Sequence, residues 1–138
     1  MRWVIAVSIA IVMAVAGWRG YARSQEAAVI RAASTLATPT SWALVSESFR
    51  PARVLCMSGR CPELTRTFTA NAANPHQIAE VLDSSGWSLT FDAPCSPTMT
   101  TVQTACSATG LAHGIPASLY VFGITDEPGA ARVIVHVG

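Results

Sequence analysis

Asn74-Pro75-His76-Gln77-Ile78-Ala79-Glu80-Val81-Leu82-Asp83-Ser84-Ser85-Gly86, followed at once by Trp87-Ser88-Leu89-Thr90-Phe91-Asp92-Ala93, holds the clearest structural signal in the chain. The first part reads as a helix. Asn74 suits the N-cap, Pro75 the first helical position, and Gln77 the place where a capping box puts it. Ile78, Val81 and Leu82 share one face, and Gly86 can take the left-handed conformation that ends the helix. The second part switches period from 3.6 to 2. Trp87, Leu89, Phe91 and Ala93 alternate with Ser88, Thr90 and Asp92, as in a strand with one buried and one wet face. Both apolar sets then face one core, and replacing Phe91 by Ala is expected to cost about 3–5 kcal/mol.

Further strands lie on both sides. Upstream, Trp42 to Phe49 reads as extended and Arg50-Pro51 ends it. Leu64, Arg66, Phe68 and Ala70 alternate with three threonines. Downstream, Thr98 to Ala108 suits a strand containing Cys106, and Gly110 to Gly114 a turn. Ala117 to Ile124 is apolar on both faces, which fits a central strand whose Tyr120 and Phe122 contact the core or the sheet's far face. Val133, Val135 and Val137 line one side of a terminal strand. The expected fold class is α+β: a small antiparallel sheet with one packed helix, preceded by an N-terminal membrane helix. The domains are residues 1–23 as transmembrane anchor or signal segment, 24–41 as juxtamembrane helix and linker, and 42–138 as an extracytoplasmic domain.

Trp3 to Trp18 carries no charge, with Arg2 before it and Arg19 and Arg23 after it. As a helix this stretch spans about 24 Å, short of the roughly 30 Å hydrocarbon layer. Trp3 and Trp18 bracket it as interfacial tryptophans do, so a single-pass anchor in the bilayer through residues 3–18 is expected. A cleaved signal peptide ending at Ala14-Val15-Ala16 is the alternative, which would make the protein secreted. Ser24 to Ala37 reads as a short stalk helix, separate from the span with Ser24 as N-cap or continuous with it, and Val29, Ile30, Ala33 and Leu36 form one stripe. Counted arginines favour a cytoplasmic C-terminal domain, but the cysteines favour an oxidising compartment, and they decide the expectation for the outside.

The four cysteines form two local pairs, Cys56 with Cys61 and Cys95 with Cys106, each around a turn. Spacing alone cannot choose among the three pairings of four cysteines. Local disulfides would contribute about 2 and 3 kcal/mol. A four-thiolate zinc site fits the first spacing and not the second, so no metal is expected. His76, His113 and His136 read as solvent-facing or locally bonded, and the carboxylates as solvated. Arg50, Arg53, Arg60 and Arg66 could form an anion-binding face.

A charged fraction of 12% and a net charge of +1 exclude a strongly basic nucleic-acid binder and an acidic solvating tail. All the basic residues are arginine, so a lysine Schiff base and a phosphate-loop lysine are excluded. No nucleophile elbow, metalloprotease helix or calcium loop occurs. The expectation is a membrane-tethered extracytoplasmic binding or structural module without cofactor, whose partner is a protein or a cell-envelope component. The alternative is a secreted disulfide-stabilised enzyme or inhibitor.

Overall fold

A computed structural model of the chain describes residues 2–53, 61–71, 75–92, 104–124 and 130–138, with side chains described from residue 7 onward except at 71, 75, 104 and 105. The order is α1 (Arg2–Ser34), β1 (Trp42–Arg50), β2 (Glu63–Asn71), α2 (Pro75–Ser85), β3 (Trp87–Phe91), β4 (Thr104–Ala112), β5 (Ile115–Gly123) and β6 (Ala130–Val137). The strands form one antiparallel sheet in the order β1-β2-β6-β5-β4-β3. The α+β class therefore holds, with a second helix in the fold.

The sheet is built from two pieces. β1 and β2 form one antiparallel pair, and β3 to β6 form a meander. α2 leads from β2 to β3 on the opposite edge, and β6 closes the sheet by pairing with β2. Pro75 opens α2, where its missing N–H costs nothing, while Asn74 lies outside the described residues. Gly86, with φ of 67°, ends it. β4 and β5 are joined by the two residues His113 and Gly114, with φ of 51° and 83°. Two successive positive φ values are what a tight hairpin matching strand twist requires. The turn is thus shorter than Gly110–Gly114. Gly110 belongs to β4, and a Cβ there would lie 2.1 Å from the Ser88 carbonyl oxygen of β3. Of the expected strand from Thr98, residues 98–103 lie outside the described residues.

Alternation decides which face is covered. Leu64, Phe68 and Ala70 of β2, Leu119 and Val121 of β5, and Val133, Val135 and Val137 of β6 point to one side and are buried. Ile78, Val81 and Leu82 of α2 join them, with Trp87 buried and Leu89 and Phe91 packed half-buried against the cluster. Because Phe91 is only half-buried, its truncation should cost less than the value for a fully buried ring. Tyr120 and Phe122 lie on the other side.

The second cover for this face comes from α1, and here the sequence reading needs correction. Ser24 starts no helix: its hydroxyl donates to the Tyr21 carbonyl within one continuous helix. The segment read as a stalk packs on the sheet. Val29, Ala32, Ala33 and Leu36 are buried in the same core, whereas Ile30 is exposed. Polar bonds pin the helix end. Arg66 Nη1 donates to the Ala33 carbonyl at 2.7 Å, satisfying one of the carbonyls that a helix C-terminus leaves open. Thr35 Oγ1 donates to Ala32 O, and the Trp87 indole N–H donates back to Thr35 Oγ1 at 3.0 Å. With the Thr35 proton so used, His113 Nε2, 3.1 Å away, must be the donor in its contact with the same oxygen. Ala37 N–H donates to Ser85 Oγ, tying the end of α1 to the end of α2.

Candidate functional site

Both described helices cover the same face of the sheet, so the opposite face carries no helix among the described residues. Its composition follows from register. One residue from each strand falls in a single cross-strand row: Ser48, Thr65, His136, Ser118, Thr109 and Thr90. Five are hydroxyls and one is an imidazole. The neighbouring row brings Thr67, Ile134, Tyr120 and Ser107 side by side. At strand spacing the first row extends about 24 Å across the sheet.

His136 is fixed within this row. Its Nδ1 lies 3.2 Å from Glu63 Oε1 and 2.9 Å from Thr65 Oγ1. A carboxylate only accepts, so Nδ1 carries the proton in the pair, which leaves Nε2 as the ring's other hydrogen-bonding atom. The ring stands edge-on to Tyr120, with centroids 5.8 Å apart. Glu63 also meets Arg50 Nη1 at 3.4 Å, and its side chain is only 12% exposed. The chain Arg50–Glu63–His136 thus neutralises the carboxylate and orients the imidazole. Beside it lies a half-open cavity of about 190 Å³, lined by Thr109, Gly110, Pro116, Ser118 and His136 among others. Asp92 holds the far end, accepting from Ser107 Oγ at 3.0 Å and from Thr109 Oγ1 at 3.4 Å.

The arginines singled out in the sequence do not share a face. Arg66 opposes Glu47 on the helix-covered side, at 2.6 Å. Arg50 opposes Glu63 on the open side. Arg53 is exposed just after β1, and Arg60 lies outside the described residues. Two of the four are therefore committed to carboxylates, on opposite faces. Cys61 and Cys106 are disulfide-bonded rather than free thiols. Cys56 and Cys95, and with them the pairing, lie outside the described residues.

No protein-family model, curated protein or solved structure matches this chain.

Sequence reasoning missed the Glu63–His136 pair. The two lie far apart in the sequence, and only the β2–β6 register joins them. The available signal was weak: two polar residues pointing to the wet side of adjacent strands. Among the described residues, no group of His, Cys, Asp and Glu could hold a metal ion.

The other feature of interest is the first half of α1. Val7, Ile9, Ile11, Val12, Met13 and Val15 are each 46–70% exposed. At 100° per residue these positions are distributed around the helix rather than along one stripe. Trp18 and Tyr21 follow as a tilted aromatic pair 6.0 Å apart. Among the described residues, no helix is long and apolar enough to cross a membrane.

Proposed function

We propose that the protein is a membrane-tethered binding module with its sheet domain outside the cytoplasm. The observation that carries this reading is α1. Its last turns belong to the domain core, while its first half stands clear with apolar side chains exposed in every direction. A partner helix would need only one stripe, whereas lipid rewards apolar surface on all sides. The sequence adds Trp3 through Trp18 without a charge, flanked by arginines. Sixteen residues are short for a bilayer, and local thinning with snorkelling of Arg19 and Arg23 offsets the mismatch at modest cost.

Binding rather than catalysis is favoured by the open face. It offers a broad polar row and a shallow cavity, with no free thiol among the described cysteines to serve as nucleophile. Disulfides Cys56–Cys61 and Cys95–Cys106 belong to the same reading, since an oxidising compartment sustains them. The test is fractionation of the native host. The chain should sediment with membranes, resist an alkaline wash, and be digested by protease added outside intact cells. A soluble cytoplasmic protein would end the proposal.

A further inference from the structure

We infer that the open face of the sheet, centred on His136, binds an uncharged polyhydroxylated ligand, namely a neutral glycan. This rests on the binding-module reading above and names its ligand class. Three observations carry it.

The first is the row Ser48–Thr65–His136–Ser118–Thr109–Thr90, which places a hydroxyl or an imidazole on every strand. Hydroxyls both donate and accept, so a row of them complements a ligand built of hydroxyls along its whole length. A flat apolar partner would leave these groups unpaired, at the cost of their desolvation.

The second is charge. Arg50, Glu63 and His136 satisfy one another in a single chain, and Asp92 is engaged with Ser107 and Thr109. The cavity is lined by Thr109, Ser118, His136, glycine and proline, with no Asp, Glu or Arg in its wall. Asp92 is held by hydroxyls alone and Arg132 of the same face stands in the row of Phe122, outside the cavity lining, so the cavity wall itself offers a charged ligand no side chain of opposite charge.

The third is orientation. Glu63 and Thr65 hold Nδ1, so the ring is fixed in place with Nε2 as its remaining polar atom, and a ligand hydroxyl, which both donates and accepts, can pair with it. Tyr120, edge-on to His136 in the adjacent row, adds a half-buried ring against which the apolar face of a sugar packs.

The experiment follows backbone amide resonances of the full chain in phosphocholine micelles, which carry no sugar. The titrants are chitotriose and maltotriose, with polygalacturonate as the anionic comparison. At least one neutral oligosaccharide should give saturable shifts at Thr65, Thr109, Ser118 and His136, and leave Val29 and Leu36 on the opposite face unmoved. His136→Ala should weaken that binding about tenfold, the worth of one good hydrogen bond. Ser118→Ala should weaken it too, which keeps the test sound if the first variant folds poorly. The inference is overturned if neither neutral sugar gives saturable shifts, if polygalacturonate binds more tightly, or if both variants bind like the parent. Sedimentation of the same variants with membranes separates the two proposals. Retention without sugar binding removes the glycan and leaves the tether.

Discussion

At the scale of single residues, Arg66 shows how position decides what a charge is worth. It sits on the covered face among Leu64, Phe68 and Ala70, an inward place that a cation occupies only with partners. Its partners are Glu47 and the open carbonyl of Ala33 at the end of α1. The ion pair is largely exposed on the Glu47 side, so Glu47→Gln should cost well under about 1 kcal/mol. Arg66→Met leaves the helix carbonyl without its donor and should cost about 1–3 kcal/mol in chemical denaturation. Equal losses in the two variants would show that the ion pair, not the helix cap, is what Arg66 supplies. Gly110 makes a different demand. Any side chain there meets the backbone of Ser88 and Leu89, so Gly110→Ala must push β3 from β4. A loss of about 1–3 kcal/mol is expected by thermal melting. An unchanged melting temperature would mean that the β3–β4 contact is looser than described.

At the scale of elements, register constrains chemistry that lies beyond the strands. Cys106 shares a row with Val121, Val133 and Phe68, three strands from β2. Cys61 precedes Phe68 by seven residues, which puts it more than about 20 Å from Cys106, far beyond the roughly 7 Å limit for a disulfide. Cys95 follows Phe91 by four residues, a reach of about 14 Å, while Phe91 lies about 25 Å from Cys61 across four strand spacings. Chain reach therefore favours Cys56–Cys61 and Cys95–Cys106, and peptide mapping without reduction should recover those two cross-linked pairs alone. A Cys61–Cys95 peptide would mean that the sheet order is wrong. Packing gives a second check. Ile78 is fully buried between α2 and the sheet, and Phe91 is half-buried at its edge. Ile78→Ala should cost about 2–5 kcal/mol and exceed Phe91→Ala in the same denaturation series; the reverse order would put the core elsewhere.

Local pattern made much of this legible. The Pro75–Ser85 helix, the alternation from Trp87, and the valines of β6 each follow from side-chain period and caps that neighbours in sequence supply. The polar centre was not legible in the same way. Glu63 looked solvated because its partners, Arg50 and His136, arrive from other strands. The stalk reading of Ser24–Ala37 failed for a related reason. Alanine fits a solvated helix and a close-packed one equally well, and only the sheet opposite Ala32 and Ala33 distinguishes them.

At the scale of the whole molecule, one helix has two unlike halves. From Val29 onward α1 belongs to the protein core, and before Trp18 its surface suits hydrocarbon. Since α1 is continuous from Arg2 to Ser34, the tether proposed above would hold the sheet domain by a helix rather than by a flexible linker. On that proposal the open face and its His136 row would be presented beyond the lipid by the same helix. Cleavage after Ala16 would leave the core contacts of α1 intact, so the fold alone does not choose between an anchored and a secreted protein. A charge in the exposed half does choose. Val12→Arg alters no core contact, yet an arginine at the centre of a span costs about 2.5–3.5 kcal/mol on insertion scales. The most direct measurement is the intact mass and membrane partition of the native protein beside Val12→Arg. The parent should keep Trp3–Trp18 and remain in the washed membrane pellet, and the variant should shift markedly toward the soluble fraction. A parent species that begins at Gly17 and is found in the soluble fraction would contradict the tether.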